Sequence, residues 1–110
     1  MRWTRQRRTV LEALRELLSR GVHPTASDIL AIARRRVPGI SLATVYNALR
    51  EFERAGLVAS FQYNGVTYYD KVEPHLNIIC NGEVREVDGA EVWRRIEELG
   101  FKPLAAVARC

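Results

Sequence analysis

The feature that most constrains this chain is a change of hydrophobic period at Leu57: apolar residues recur every three or four positions before it and alternate after it. Thr4 caps a helix predicted to run to about Arg20, with Val10, Leu11, Leu14, Leu17 and Leu18 on one stripe and Arg7, Arg8, Glu12, Arg15 and Glu16 off it. Gly21 stops it. Thr25 caps a second helix whose apolar side is Ile29, Leu30, Ile32, Ala33 and Val37, closed by Pro38-Gly39. Ser41 caps a third, with Leu42, Val45, Leu49 and Phe52 facing inward up to the Ala55-Gly56 stop.

After Leu57, Val58, Ser60 and Gln62 alternate with Ala59, Phe61 and Tyr63, and Asn64-Gly65 joins this segment to Val66-Thr67-Tyr68-Tyr69. That is a hairpin. Three short helices followed by a two-stranded hairpin is the order of elements in a winged helix-turn-helix. A second Asn-Gly pair, Asn81-Gly82, lies between Leu76–Cys80 and Val84–Val87. A helix over Gly89–Leu99, with Val92, Trp93, Ile96 and Leu99 on one side, and a strand over Phe101–Ala108 complete a β-β-α-β unit. The expected fold is therefore α+β: a winged-helix domain over 1–70, a hinge at 71–74 and a small α/β domain over 75–110. The second domain is too small to bury much core alone, which predicts homodimerisation through it.

Charge separates the two halves as well. Residues 1–70 hold 11 basic and 6 acidic side chains, net +5, whereas residues 71–110 hold 6 and 7, net −1. The basic half suits a polyanion such as double-stranded DNA. Fifteen of the 17 cations are Arg, which fits bidentate phosphate contacts and equally a GC-rich genome or thermal adaptation. No apolar run is long enough to cross a bilayer and Met1–Arg5 leads straight into charged sequence, so the expected location is the cytoplasm, with no membrane partner. Neither a Gly-rich phosphate loop, a Gly-x-Ser-x-Gly elbow nor a His-Glu-x-x-His signature is present, and no enzyme activity is expected.

At 100° per residue, Ala43, Asn47, Arg50 and Arg54 fall opposite the apolar side of the third helix, with Thr44 and Tyr46 flanking. Arg can bond guanine O6 and N7, Asn the adenine edge, Ala permits close approach, and Ser41, Thr44 or Tyr46 can reach phosphate or a thymine methyl. A solvated amphipathic helix shows the same pattern, and it is the preceding helix, the wing and the basic half that favour DNA. Arg5, Arg7 and Arg8, and the run Arg34-Arg35-Arg36, suit the sugar-phosphate backbone.

Thr4-Arg5-Gln6-Arg7, His23-Pro24-Thr25-Ala26, Ser41-Leu42-Ala43-Thr44-Val45-Tyr46-Asn47-Ala48-Leu49 and Ala55-Gly56-Leu57-Val58 occur in an order that resembles the ferric uptake regulator superfamily, closest to its peroxide-sensing branch. The resemblance implies a dimeric, metal-responsive repressor with a regulatory site of histidines and carboxylates. His23 matches a ligand before the second helix, Asp70 one that ends the wing, His75 the first His of a His-x-His pair, and Glu86 an Asp in the following strand. Asn77 replaces the second His. Two imidazoles and two carboxylates suit Fe²⁺, Mn²⁺ or Zn²⁺. In the peroxide-sensing branch, iron directs oxidation to histidine ligands, and His23 and His75 match those positions. The alternative is that His23 and His75 are packing residues in a metal-independent winged-helix protein that has lost the sensing site.

The family's structural zinc uses two Cys-x-x-Cys pairs. Here Cys80 matches the first cysteine of one pair and Cys110 the first of the other, without their second members. The resemblance is thus to a shortened relative in which structural zinc is not expected, since two thiolates do not close a tetrahedral site. A disulfide, a redox pair and two inert thiols all remain open for Cys80 and Cys110.

Overall fold

The structure, a computed structural model, describes residues 1–110. The chain divides into two compact units, Met1–Lys71 and Val72–Cys110. No helix is long and apolar enough to cross a membrane.

In the first unit, α1 (Arg5–Ser19), α2 (Ala26–Ala33) and α3 (Leu42–Arg54) precede the hairpin of β1 (Ala59–Tyr63) and β2 (Val66–Asp70). Local chemistry sets the ends of the helices. The Thr4 hydroxyl accepts from Arg7 N–H, Ser41 accepts from Thr44 N–H, and Thr25 and Asp28 form a reciprocal capping box. At the far end of α1, Val22 N–H reaches Leu17 carbonyl at 3.1 Å and Gly21 N–H reaches Leu18 carbonyl at 3.0 Å, a Schellman closure with Gly21 at φ 77°. Val10, Leu14, Ile29, Ile40, Val45, Leu49 and Phe52, essentially without exposure, form the core between the helices. Trp3 stacks over Phe52 from outside, with ring centroids 5.8 Å apart. The hairpin pairs Ala59 with Asp70 through to Tyr63 with Val66. Its turn is Asn64-Gly65 with both residues at positive φ, 51° and 74°, a type I′ geometry matched to strand twist.

Two expectations for this unit need correcting. The second helix ends at Ala33 rather than running to Val37. Arg34–Arg36 continue as a turn, with Arg35 and Arg36 N–H groups bonded three residues back to Ile32 and Ala33 and Val37 N–H returning to Ala33 carbonyl at 2.9 Å, and Pro38, which has no N–H, cannot extend the helix. Leu42, expected inward, is 38% exposed: it occupies the first helical position of α3, where no neighbouring element covers it. Ala48 takes its place on the buried side.

The second unit contains β3 (His75–Cys80), β4 (Glu83–Asp88), α4 (Ala90–Glu98) and β5 (Val107–Arg109), with strand order β4-β3-β5. The β3-β4 hairpin is antiparallel and turns at Asn81-Gly82, again with positive φ at both residues, while β5 pairs parallel to β3. The strand expected over Phe101–Ala108 is only Val107–Arg109. Pro103 cannot donate to a ladder, and only the last residues lie alongside β3. On α4 the expected apolar side is largely uncovered: Trp93 is buried, Ile96 is half-buried, and Val92 and Leu99 are 40% and 58% exposed.

Candidate nucleic-acid interface and metal ligands

Burial of Val45, Ala48, Leu49 and Phe52 fixes which side of α3 faces solvent. Ala43, Tyr46, Asn47, Arg50 and Arg54 lie on that outer side, and Thr44 is half-buried at its margin. Arg50 forms no ion pair. Arg54 is paired with Glu51 at 2.8 Å, an exposed contact that a phosphate can displace at little cost. The Ser41 and Thr44 hydroxyls are 2.9 Å apart and Ser41 Oγ also accepts from Thr44 N–H, so Ser41 is committed to the start of the helix. Beneath this helix lies Tyr69, whose phenol is pushed up from its usual pKa by burial first and then by Glu53 and Tyr46, against the opposing charge of Arg50.

The amino-terminal end of α1 borders the same surface. Arg2, Thr4, Gln6, Arg7, Thr44 and Asn47 line one groove, so Arg7 is joined to the face of α3. Arg7 Nη1 donates to Arg2 carbonyl at 2.7 Å, and Arg5 Nη2 to Arg36 carbonyl at 3.5 Å, which brings the α1 cations beside the Arg34–Arg36 turn. Within that turn Arg34 Nε donates to Ile40 carbonyl at 3.1 Å and Arg36 pairs with Glu12, leaving Arg35 outward. Arg8 is exposed in a separate groove with Trp3, Leu11, Glu12 and Arg15. Sequence reasoning missed Arg2 and Gln6. The signal was the Thr4 cap itself, which fixes the turn on which both neighbours sit. It also missed a groove in which Thr25 and Ser27 at the start of α2 meet Tyr46 of α3 and Gly65 and Thr67 of the wing.

Each unit holds one histidine beside one carboxylate. In the first, Tyr69 N–H donates to Pro24 carbonyl at 2.8 Å, which ties the end of β2 to the loop before α2. That bond brings Asp70 beside His23, with His23 Nε2 3.8 Å from Asp70 Oδ1 and both side chains buried. Phe61 packs edge-on against the His23 ring at 6.0 Å, and Lys71 N–H donates to Asp70 Oδ1 at 2.8 Å.

In the second unit the β3-β4 register sets Glu86 opposite Asn77, two pairs along from His75 and on the same face, and His75 Nε2 lies 4.0 Å from Glu86 Oε1. The His75 Nδ1–H donates to Glu73 carbonyl, which makes Nε2 the ring nitrogen that carries the lone pair. Trp93 stacks on His75 with centroids 5.9 Å apart. Gly89 closes on its backbone, where a Cβ would come within 2.4 Å of the His75 carbonyl carbon. The Asn77 amide lies 3.4 Å from His75 Nε2.

Two donors each about 2.0–2.2 Å from one ion are roughly 3.0–3.6 Å apart, so each pair lies close to the spacing that a shared metal needs. Each pair is also chemically suitable, one imidazole nitrogen with one carboxylate oxygen. Cys80, half-buried, and Cys110, exposed, are free thiols.

The Ferric uptake regulator family profile matches residues 1–104. The chain is 38% identical over 90 residues to the peroxide operon regulator of Bacillus subtilis (strain 168), a match covering 80% of this chain and 60% of that protein. It therefore spans about three fifths of the length of this curated relative. Among solved structures, the Campylobacter jejuni peroxide stress regulator superposes with a TM-score of 0.70 at 26% identity, over 96% of this chain and 85% of that one. The ferric uptake regulator from Pseudomonas aeruginosa with manganese gives a TM-score of 0.71 at 28% identity, over 100% of this chain and 90% of that one. With the order of elements and the profile match in agreement, the chain belongs to the Ferric uptake regulator family.

Proposed function

We propose that this chain is a sequence-specific transcriptional repressor that binds double-stranded DNA as a homodimer, with its affinity set by a divalent Fe, Mn or Zn ion. The observation that carries the DNA half is the outer side of α3. A helix held by Val45, Leu49 and Phe52 presents Ala43, Asn47 and Arg50 outward, and the α1 cations Arg5 and Arg7 flank it. Asn47 and Arg50 read base edges; Arg5, Arg7 and Arg8, with Arg35, contact phosphates; Thr44 and Tyr46 set the docking register. A DNA partner puts its place of action in the cytoplasm.

His23 and Asp70 with His75 and Glu86 would hold the ion, which when bound supplies positive charge that satisfies the carboxylates. His75 is prepared for this by the Glu73 carbonyl, which fixes its tautomer, and by Trp93 and Gly89, which fix its ring and backbone. Relatives named for peroxide response support peroxide as a second input at the same site. The second domain's exposed Val92, Leu99, Phe101, Leu104 and Val107 support pairing of two copies through that unit.

Asn77, in place of a second imidazole, favours a second reading in which DNA binding is independent of metal. Calorimetry with Mn²⁺, Fe²⁺ and Zn²⁺ on chelator-treated protein separates the two. Binding that is lost in His23→Ala and in His75→Ala supports the metal site, and no heat with any of the three ions overturns it.

A further inference from the structure

Cys80 ends β3 and Cys110 follows β5. The parallel register pairs Ile78 with Ala108 and Ile79 with Arg109, and Cys110 N–H donates to Ile79 carbonyl at 3.2 Å, so the next position along sets Cys80 opposite Cys110. Side chains alternate along a strand, which puts both cysteines on the face away from buried Asn77 and Ile79. Adjacent strands are about 4.8 Å apart, within the roughly 4.4–6.8 Å separation of Cα atoms that a disulfide bridges. Cys80 is half-buried and Cys110 is exposed, so a small oxidant reaches them.

We propose that Cys80 and Cys110 are a thiol oxidation site, closing to a reversible disulfide within one chain when it meets a hydroperoxide. One thiol loses its proton and the thiolate attacks an oxygen of hydrogen peroxide; the O–O bond breaks, a sulfenic acid forms, and the departing hydroxide takes up that proton as the first water. The second thiol then attacks that sulfur, the S–O bond breaks, the S–S bond forms, and the second water carries away the remaining thiol proton. Two electrons pass from the sulfur pair to the peroxide. The site does not depend on the metal reading, since neither cysteine belongs to the His23, Asp70, His75 and Glu86 set.

The contact between the two sulfurs also sets the pH response. The hydrogen bond to Cys80 is the main cause, with loss of hydration second, of the Cys110 thiol being pushed above its ordinary value of 9.0. The reactive thiolate is therefore scarce at neutral pH, and closure accelerates as pH rises through the alkaline range.

The test treats the full chain with hydrogen peroxide in the presence of a chelator, so that metal-directed oxidation of His23 and His75 does not contribute, and then maps peptides without reductant. The expected result is a Cys80–Cys110 linked peptide, an intact mass lower by two hydrogens, loss of both free thiols, a rate that climbs with pH, and full reversal by dithiothreitol. Cys110→Ser, at an exposed position, and Cys80→Ser are each expected to retain one thiol and give no linked peptide while melting like the reduced wild type. If Cys80→Ser melts early, Cys110→Ser alone decides. Oxygen adducts on either cysteine without the linked peptide, or a disulfide between two chains as the main product in dilute protein, overturns the proposal.

Discussion

The two units of this chain solve the problem of burial in opposite ways. Of the eighteen buried hydrophobic residues, sixteen lie in Met1–Lys71, and only Ile79 and Trp93 lie in Val72–Cys110. The first unit closes its core with three capped helices and uses its outer surface for cations. The second leaves Leu99, Phe101 and Leu104 58–69% exposed, while its tightest packing surrounds His75. A small unit whose few close contacts surround one histidine leaves most of its apolar side chains uncovered, the arrangement from which pairing of two copies is proposed.

The contrast can be broken first in the core. Phe52→Ala removes a fully buried ring from the first unit and is expected to cost about 3–5 kcal/mol in urea unfolding. A loss below about 1 kcal/mol would show that the first unit does not stand on its own core. Next, Phe101→Asp with Leu104→Asp places charge on the exposed side of the second unit. Its stability as a single chain should stay within about 0.5 kcal/mol, while the proposed pairing of copies weakens by roughly 2–4 kcal/mol in sedimentation equilibrium. Unchanged association would move the dimer contact elsewhere. Arg50→Ala is expected to lower discrimination between sequences by about 1–3 kcal/mol, whereas Arg8→Ala weakens all sequences about equally and reduces the salt slope. Titrations at two salt concentrations separate these, and intact discrimination in Arg50→Ala contradicts the reading of α3. The smallest effect is expected at Thr25→Ala, which removes the capping box of α2 at a cost of about 1 kcal/mol in thermal unfolding.

What could be read in the sequence follows the range of the interactions concerned. The caps at Thr4, Thr25 and Ser41 and the two Asn-Gly turns depend on neighbours a few residues away, and both kinds of signal correspond to observed structure. The end of α2 differs from the apolar stripe because Val37 continues the stripe while Pro38 cannot extend the helix beyond it. Leu42 and the last strand differ from expectation because their status depends on which distant element lies alongside: Leu42, at the first helical position of α3, stays exposed, and β5 extends only as far as β3 accompanies it.

The candidate metal ligands come from the family resemblance rather than from spacing. His23 and Asp70 meet because Tyr69 bonds to Pro24, and His75 and Glu86 because of the β3-β4 register, neither of which a linear pattern announces. The roles of Trp93 and Gly89 around His75 were invisible for the same reason. One read as a helix-face apolar residue and the other as a helix start.

The most direct measurement follows the anisotropy of a labelled duplex, selected by the chain from a random pool, as Mn²⁺ is added to chelator-treated protein. Affinity is expected to rise with the metal in the wild type and to stay at its metal-free level in His23→Ala and His75→Ala, with Arg50→Ala losing preference for the selected sequence in both conditions. Binding to the duplex that neither Mn²⁺ nor chelator changes would contradict a metal-set DNA regulator and leave the metal-independent reading in its place.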